Sequence, residues 1–191
     1  MTANKIAVIV GSLRKESWSR KVAMELMALA PASLATEIVE IGQLPLYNQD
    51  SDDGGNPPGA WTVFRQRMTG FEGVLFVTPE YNRSVPGALK NALDVGSRPY
   101  GKSKNVWDGK PGAVVSVSPG AIGAFGANHH LRQSLVFLNV PCMQQPEAYV
   151  GSVVSIFDLQ GRLVNDTRDF LRKFMKAFAD WVETNVRGGK L

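Results

Sequence analysis

Cysteine occurs once in these 191 residues, at Cys142, so no disulfide can close within the chain. We expect that lone thiol to be buried and inert rather than reactive. Histidine occurs twice, as the adjacent pair His129 and His130. Neighbours on a helix point about 100° apart, and no cysteine or carboxylate cluster accompanies the pair, so no metal site is expected. Long charge runs are missing too. The 21 basic and 17 acidic residues leave a formal charge of +4, and the basic ones are scattered rather than gathered into a stripe. That pattern speaks against nucleic acid as a partner and suits the attraction of small anions. No apolar run approaches the ~20 residues of a membrane span. The start, Met1 to Lys5, enters an apolar strand with no signal-type segment, so no membrane partner and a cytoplasmic location are the expectation.

Two nucleotide-binding signatures and one phosphate-switch signature are absent as well. Neither G-x-G-x-x-G nor a P-loop ending in Gly-Lys-Ser/Thr follows any strand-like run, which removes the dinucleotide fingerprint and the P-loop from consideration. A phosphate-switched receiver domain needs acidic residues at the ends of its first and third strands. Here those ends read Val10-Gly11 and Thr78-Pro79.

With 44% hydrophobic and 20% charged residues, the composition is that of one globular domain spanning 1–191. Continuous apolar runs at Ile6 to Val10, Val74 to Val77 and Ala113 to Val115 fit parallel strands covered on both faces. A second, half-polar strand is expected over Glu37 to Ile41, and a last one in two pieces, Val140 to Met143 and Glu147 to Val150. Helical spacing marks Val22/Leu26/Leu29, Trp61/Phe64/Met68 and Leu131/Leu135/Leu138 as buried stripes. On the final helix the inner face is expected to carry Phe170, Phe174, Phe178, Trp181 and Val182. Gly42 to Gly59 forms a long excursion whose Asp50 to Pro58 part looks mobile. Alternating strands and helices imply an α/β fold with a parallel sheet and right-handed crossovers.

Two stretches carry chemistry. Gly11-Ser12-Leu13-Arg14-Lys15-Glu16-Ser17-Trp18-Ser19-Arg20 follows the first apolar run and opens a helix near Ser19. A helix start leaves backbone N–H groups without partners and carries about half a positive charge, so a terminal phosphate is favoured there. Taken alone, this stretch is equally a serine-capped helix. The second stretch, Thr78-Pro79-Glu80-Tyr81-Asn82-Arg83-Ser84-Val85-Pro86-Gly87 and on to Asp94, follows the third strand and holds a proline-bracketed loop.

Together GSLRKESWSR and PEYNRSVPGALKNALD resemble the NADPH-dependent FMN reductase family, and HHLRQSLVFLNV fits its chromate- and quinone-reducing branch. The resemblance implies a flavodoxin-like three-layer sandwich with a five-stranded parallel sheet in the order 2-1-3-4-5. In that fold FMN binds at the switch point between the first and third strands. It further implies that Ser12, Arg14, Ser17, Trp18 (through its backbone) and Ser19 hold the phosphate and ribityl chain. Pro79, Glu80, Tyr81, Asn82 and Arg83 would line the ring, and Ser118 would approach its pyrimidine side.

Two of those residues keep a second reading. Glu80 could instead cap the neighbouring helix or bridge to a partner subunit, and Arg83 could form an outward salt bridge. NADPH or NADH would be the co-substrate and a quinone, a chromate-like oxyanion or free flavin the small-molecule acceptor. Hydride transfer in ping-pong fashion and a homodimer or homotetramer are also implied. The competing reading is a flavodoxin-type electron carrier without a substrate of its own.

Overall fold

A computed structural model describes residues 2–99, 101 and 105–188. The polar stretch 97–109 lies in part, at 100 and 102–104, outside the described residues. Five parallel strands, β1 (Asn4–Val10), β2 (Leu34–Ile38), β3 (Gly73–Thr78), β4 (Gly112–Val117) and β5 (Ala148–Val150), lie in the order β2-β1-β3-β4-β5. Helices α1 (Trp18–Ala28) and α6 (Asn165–Gly188) cover one face. The helices α3 (Gly59–Thr69), α4 (Gly87–Gly96) and α5 (Phe125–Phe137) cover the other, and a short α2 (Gln49–Asp53) lies in the excursion.

The pleat divides each central strand between two cores. Ile6, Val8 and Val10 of β1 pack with Val22 and Leu26 of α1 and Phe174, Phe178 and Val182 of α6. Ala7 and Ile9 face Trp61, Phe64, Leu89 and Leu93. Successive residues point to opposite faces, so a strand apolar at every position must be covered twice. All six residues of β3 and of β4 are buried, as that requirement demands. Trp107 is fully buried and donates from its indole to Leu93 O at 3.0 Å, which fixes the connection after α4.

Several expected boundaries shift. β2 runs over Leu34–Ile38 rather than 37–41, because its register is set by the Asn4–Leu34 and Val8–Ile38 pairs with β1. The apolar Val39 and Ile41 are buried past the strand's end in the core under α3 and α4. They produced a strand-like signal without being strand. Of the two expected pieces of the last strand, only Ala148–Val150 forms a ladder, while Cys142 makes a single bridge to Gly112. Phe170 is 38% exposed, and Leu171 and Met175 join Phe174 and Phe178 on the inner face.

The 42–58 excursion is tied down rather than loose. Asn91, 7% exposed on α4, accepts from Tyr47 N at 2.8 Å and donates to Leu44 O and Pro45 O, and the Trp61 indole also donates to Pro45 O. Further along, Arg65 grips the Asp52 carboxylate with two hydrogen bonds of 2.9 and 2.7 Å and donates a third to Val95 O. The Tyr47 hydroxyl sits beside this pair, and burial together with the Asp52 charge pushes its pKa up.

The single thiol is buried, as expected. Cys142 is 8% exposed, and burial raises its pKa against the opposing pull of Arg132. A thiol reagent at neutral pH is expected to leave the folded protein unmodified and to titrate one group after unfolding. Rapid reaction of the folded protein would show that this site opens.

Candidate functional site: a crevice between the first and third strands

Gly11 ends β1 where the chain must pass close to β3. A Cβ there would lie 3.0 Å from Thr78 Oγ1 and 3.2 Å from Pro79 and Leu89, so any side chain would have to push these neighbours back by a few tenths of an ångström. The loops that follow them enclose a cleft of about 120 Å³. Its walls include Ser12, Arg14, Ser17, Trp18 and Ser19 from the first loop, Pro79, Glu80 and Tyr81 from the second, and Ser118 after β4. Nine of the eleven residues singled out from the sequence therefore converge, and Asn82 and Arg83 lie outside the cleft. Val117 and Pro119 complete the wall without having been expected. A strand residue and a proline offer no polar side chain by which sequence reasoning could have found them.

The first wall is built as a donor array. Ser17 is the N-cap of α1, and its hydroxyl accepts from Arg20 N at 3.1 Å. Ser12 Oγ accepts from Arg14 N at 3.4 Å. Each hydroxyl uses an acceptor position on the backbone, so its O–H proton remains to be donated. Ser12, Ser17 and Ser19 are all buried, and the first turn of α1 carries no acidic residue. Among the described residues the amides of Trp18 and Ser19 have no backbone acceptor and Arg14 has no ion pair. The Trp18 ring turns away to stack on Phe157 at 5.6 Å beneath Lys21, which leaves its backbone to the cleft. Hydroxyls, free amides, a helix N-terminus and a guanidinium fit a phosphate.

The second wall is a two-residue hairpin. Tyr81 and Ser84 exchange backbone hydrogen bonds of 2.9 and 3.0 Å, and the residues between them, Asn82 and Arg83, have φ of 51° and 64°. Positive φ at both central positions belongs to the tight turns of I′ type, where asparagine is favoured but arginine is not. The Glu80 side chain, 12% exposed, accepts from Ala127 N at 3.0 Å and pairs with Arg83 at 3.3 Å. The helix cap and the outward salt bridge named as second readings are therefore both formed. Tyr81 is 46% exposed at the cleft mouth.

The third wall rests on a buried network that sequence alone did not reveal. Ser116 Oγ donates to Gly123 O at 2.6 Å and accepts from Asn128, whose carbonyl oxygen receives Arg132 Nε at 2.9 Å. Behind it, the Tyr149 hydroxyl bonds Glu147, and burial with that carboxylate pushes its pKa up to about 12. His129 contacts Tyr149 and Phe125 on this surface. Among the described residues no cluster of histidine, cysteine and carboxylate side chains could hold a metal ion.

Comparison with known proteins agrees with this geometry. The NADPH-dependent FMN reductase profile matches residues 4–155. The chain is 64% identical over 180 residues to a quinone reductase of Pseudomonas putida, covering 94% of this chain and 95% of the relative. It is 48% identical to a 2-hydroxy-1,4-benzoquinone reductase of a Burkholderia species, covering 94% and 97% of the two chains. Among solved structures, FerB, a flavoenzyme NAD(P)H:(acceptor) oxidoreductase of Paracoccus denitrificans, superposes with a TM-score of 0.88 at 40% identity over 96% of this chain and 99% of its own. A flavodoxin of Pseudomonas aeruginosa, 17% identical over 91% of this chain and 98% of its own with a TM-score of 0.55, shares the fold. A sheet in the order 2-1-3-4-5, a phosphate-type cradle at its switch point and relatives of this closeness place the chain in the NADPH-dependent FMN reductase family, whose oxidoreductases work with FMN and NAD(P)H.

Proposed function

We propose that this protein is an NAD(P)H-dependent quinone reductase that holds FMN in the crevice between β1 and β3. Ser12, Arg14, Ser17, Ser19 and the Trp18 backbone take the phosphate and ribityl chain. Pro79 to Arg83 and Ser118 take the ring, with Asn82 and Arg83 reaching it from the rim. The single observation that carries the reading is the convergence of the serine-rich loop and the Pro79–Tyr81 loop on one cleft. When bound, FMN would supply the hydride- and electron-transfer chemistry between the nicotinamide and the acceptor. The protein's share is to bind the anionic tail, to orient the ring edge and to leave one face open through the exposed mouth at Tyr81.

Quinones are the acceptor class most directly supported, through the names of the close relatives. Chromate-like oxyanions and free flavin belong to the same proposal as broader acceptors. Each substrate would use the same open face in turn, which is ping-pong kinetics. A homodimer or homotetramer is part of the reading. An open groove of about 660 Å³ between α4 and α5, beside the exposed Val136 and Phe137, offers a contact face. A cytoplasmic setting, where NAD(P)H is regenerated, belongs to the same reading.

The test is spectroscopic. Purified protein supplied with FMN is expected to be yellow, to bleach on anaerobic addition of NADPH and to recover colour with a benzoquinone. Initial rates at several fixed quinone concentrations should give parallel double-reciprocal lines. A protein that stays colourless with FMN would overturn the assignment. A yellow protein that NADPH does not bleach would favour an electron carrier instead.

A further inference from the structure

Helix α1 starts at this crevice and α5 starts behind Glu80 in its second wall, and the two N-termini are finished differently. α1 is capped by the neutral hydroxyl of Ser17 and has no acidic residue in its first turn. α5 has no side-chain cap of its own. Its N-cap, Ala124, sits at φ 59°, and its first turn likewise lacks an acid. The missing acceptor comes from 47 positions earlier, where Glu80 Oε2 takes the amide of Ala127 at 3.0 Å. One turn on, His130 Nδ1 lies 3.0 Å from Ser84 Oγ. Ala127 and His130 are three apart and share a helix face. The Tyr81–Ser84 hairpin is thus held to α5 at both ends. Gly126 lets them meet, since a Cβ there would fall 2.8 Å from Arg83 O and 2.9 Å from Glu80 Oε2.

The consequence is both mechanical and electrostatic. Beside Asn82, which tolerates it, Arg83 occupies a left-handed conformation that such a residue holds only when its surroundings enforce it. The bonds to α5 provide that enforcement. The Glu80 carboxylate also sits on the positive end of α5, whereas the positive end of α1 keeps its charge. We propose that Glu80 is a positioning residue for the flavin: it ties the hairpin to α5 and cancels that helix's positive end, so an anionic group is drawn only to α1. The ligand is thereby oriented, tail toward Ser17 and Ser19 and uncharged ring edge toward the hairpin. This inference rests on the FMN reading above for its ligand, but the tie itself can be tested without any ligand.

The experiment compares the parent with Glu80→Gln, Glu80→Ala and Ser84→Ala. Amide hydrogen exchange at Tyr81 and Ser84 is followed in the apoproteins, and FMN affinity and the midpoint potential of bound FMN are then measured. Glu80→Ala should speed exchange and weaken FMN binding by about tenfold each, the worth of one charge-assisted bond. Glu80→Gln keeps an oxygen for Ala127 N–H and should restore exchange to within about threefold of the parent, while the lost charge raises the flavin potential. Ser84→Ala should speed exchange without moving the potential. A merely structural residue would alter stability and leave the potential untouched. The proposal is overturned if Glu80→Ala leaves hairpin exchange and FMN affinity at parental values, or if Glu80→Gln leaves the potential unchanged. Should Glu80→Ala fail to fold, the other two variants decide. A parent apoprotein that binds no FMN would sink the functional reading, and exchange alone would then decide the tie.

Discussion

An Arg14→Ala/Ser19→Ala protein is expected to fold normally and to lose its flavin on a desalting column. Arg14 is exposed and has no ion pair among the described residues, and Ser19 is a buried polar residue at the start of α1, so little in the empty fold depends on either. Toward a bound phosphate each would supply a hydrogen bond, one of them charge-assisted. Losing both should cost about 3 kcal/mol, or roughly a hundredfold in Kd. The apoprotein should lose no more than about 1 kcal/mol of stability, because Arg14 is exposed and Ser19→Ala removes one hydroxyl without opening an apolar cavity. Fluorescence titration of the apoprotein with FMN measures the first quantity and urea unfolding the second. A double variant that binds FMN as tightly as the parent would place the phosphate elsewhere.

Replacing Asp52 by alanine should have the largest effect on stability. Arg65 is 13% exposed at its side chain and Asp52 only 2%, so removal of the carboxylate strands a buried guanidinium. Breaking such a pair from one side costs about 3–5 kcal/mol. In a chain of this size that corresponds to a fall in Tm of roughly 10 °C. Removing both partners in Asp52→Ala/Arg65→Met should recover most of the loss, because an apolar replacement needs no counter-charge. Thermal unfolding of the two variants separates a true buried pair from a surface decoration. Equal losses in both would mean that packing, not charge, holds α2 in place. The Asn91 bonds to Leu44, Pro45 and Tyr47 are independent of this pair, so the first half of the excursion should stay ordered in either variant.

The excursion also shows why some features could not be read in advance. Asp50 to Pro58 is rich in acidic residues, glycine and proline, a local composition that describes mobile chain. What holds it is Arg65, thirteen positions beyond Asp52, on a helix that reads locally as an ordinary amphipathic one. The same limit applies to Glu80. Its residue type allowed a cap or an ion pair, but the amide it receives belongs to a helix on the far side of β4. β2 was misplaced for a related reason. Val39 and Ile41 are buried by α3 and α4 after the strand has ended, and burial, not pairing, is what hydrophobicity reports.

Composition and pattern did determine the class of fold, the central strands β1, β3 and β4, and the two loops that line the candidate site. These depend on contiguous residues: an apolar run long enough to be covered on both faces, a glycine at its end, a serine at a helix start. Only the tertiary structure decided that nine of the eleven expected residues share one cleft while Asn82 and Arg83 stand on a strained turn at its rim. It alone decided which helix end keeps its positive charge. The reason is physical: local preference acts over one or two turns of chain, whereas a carboxylate neutralises whichever dipole the fold brings within hydrogen-bonding distance.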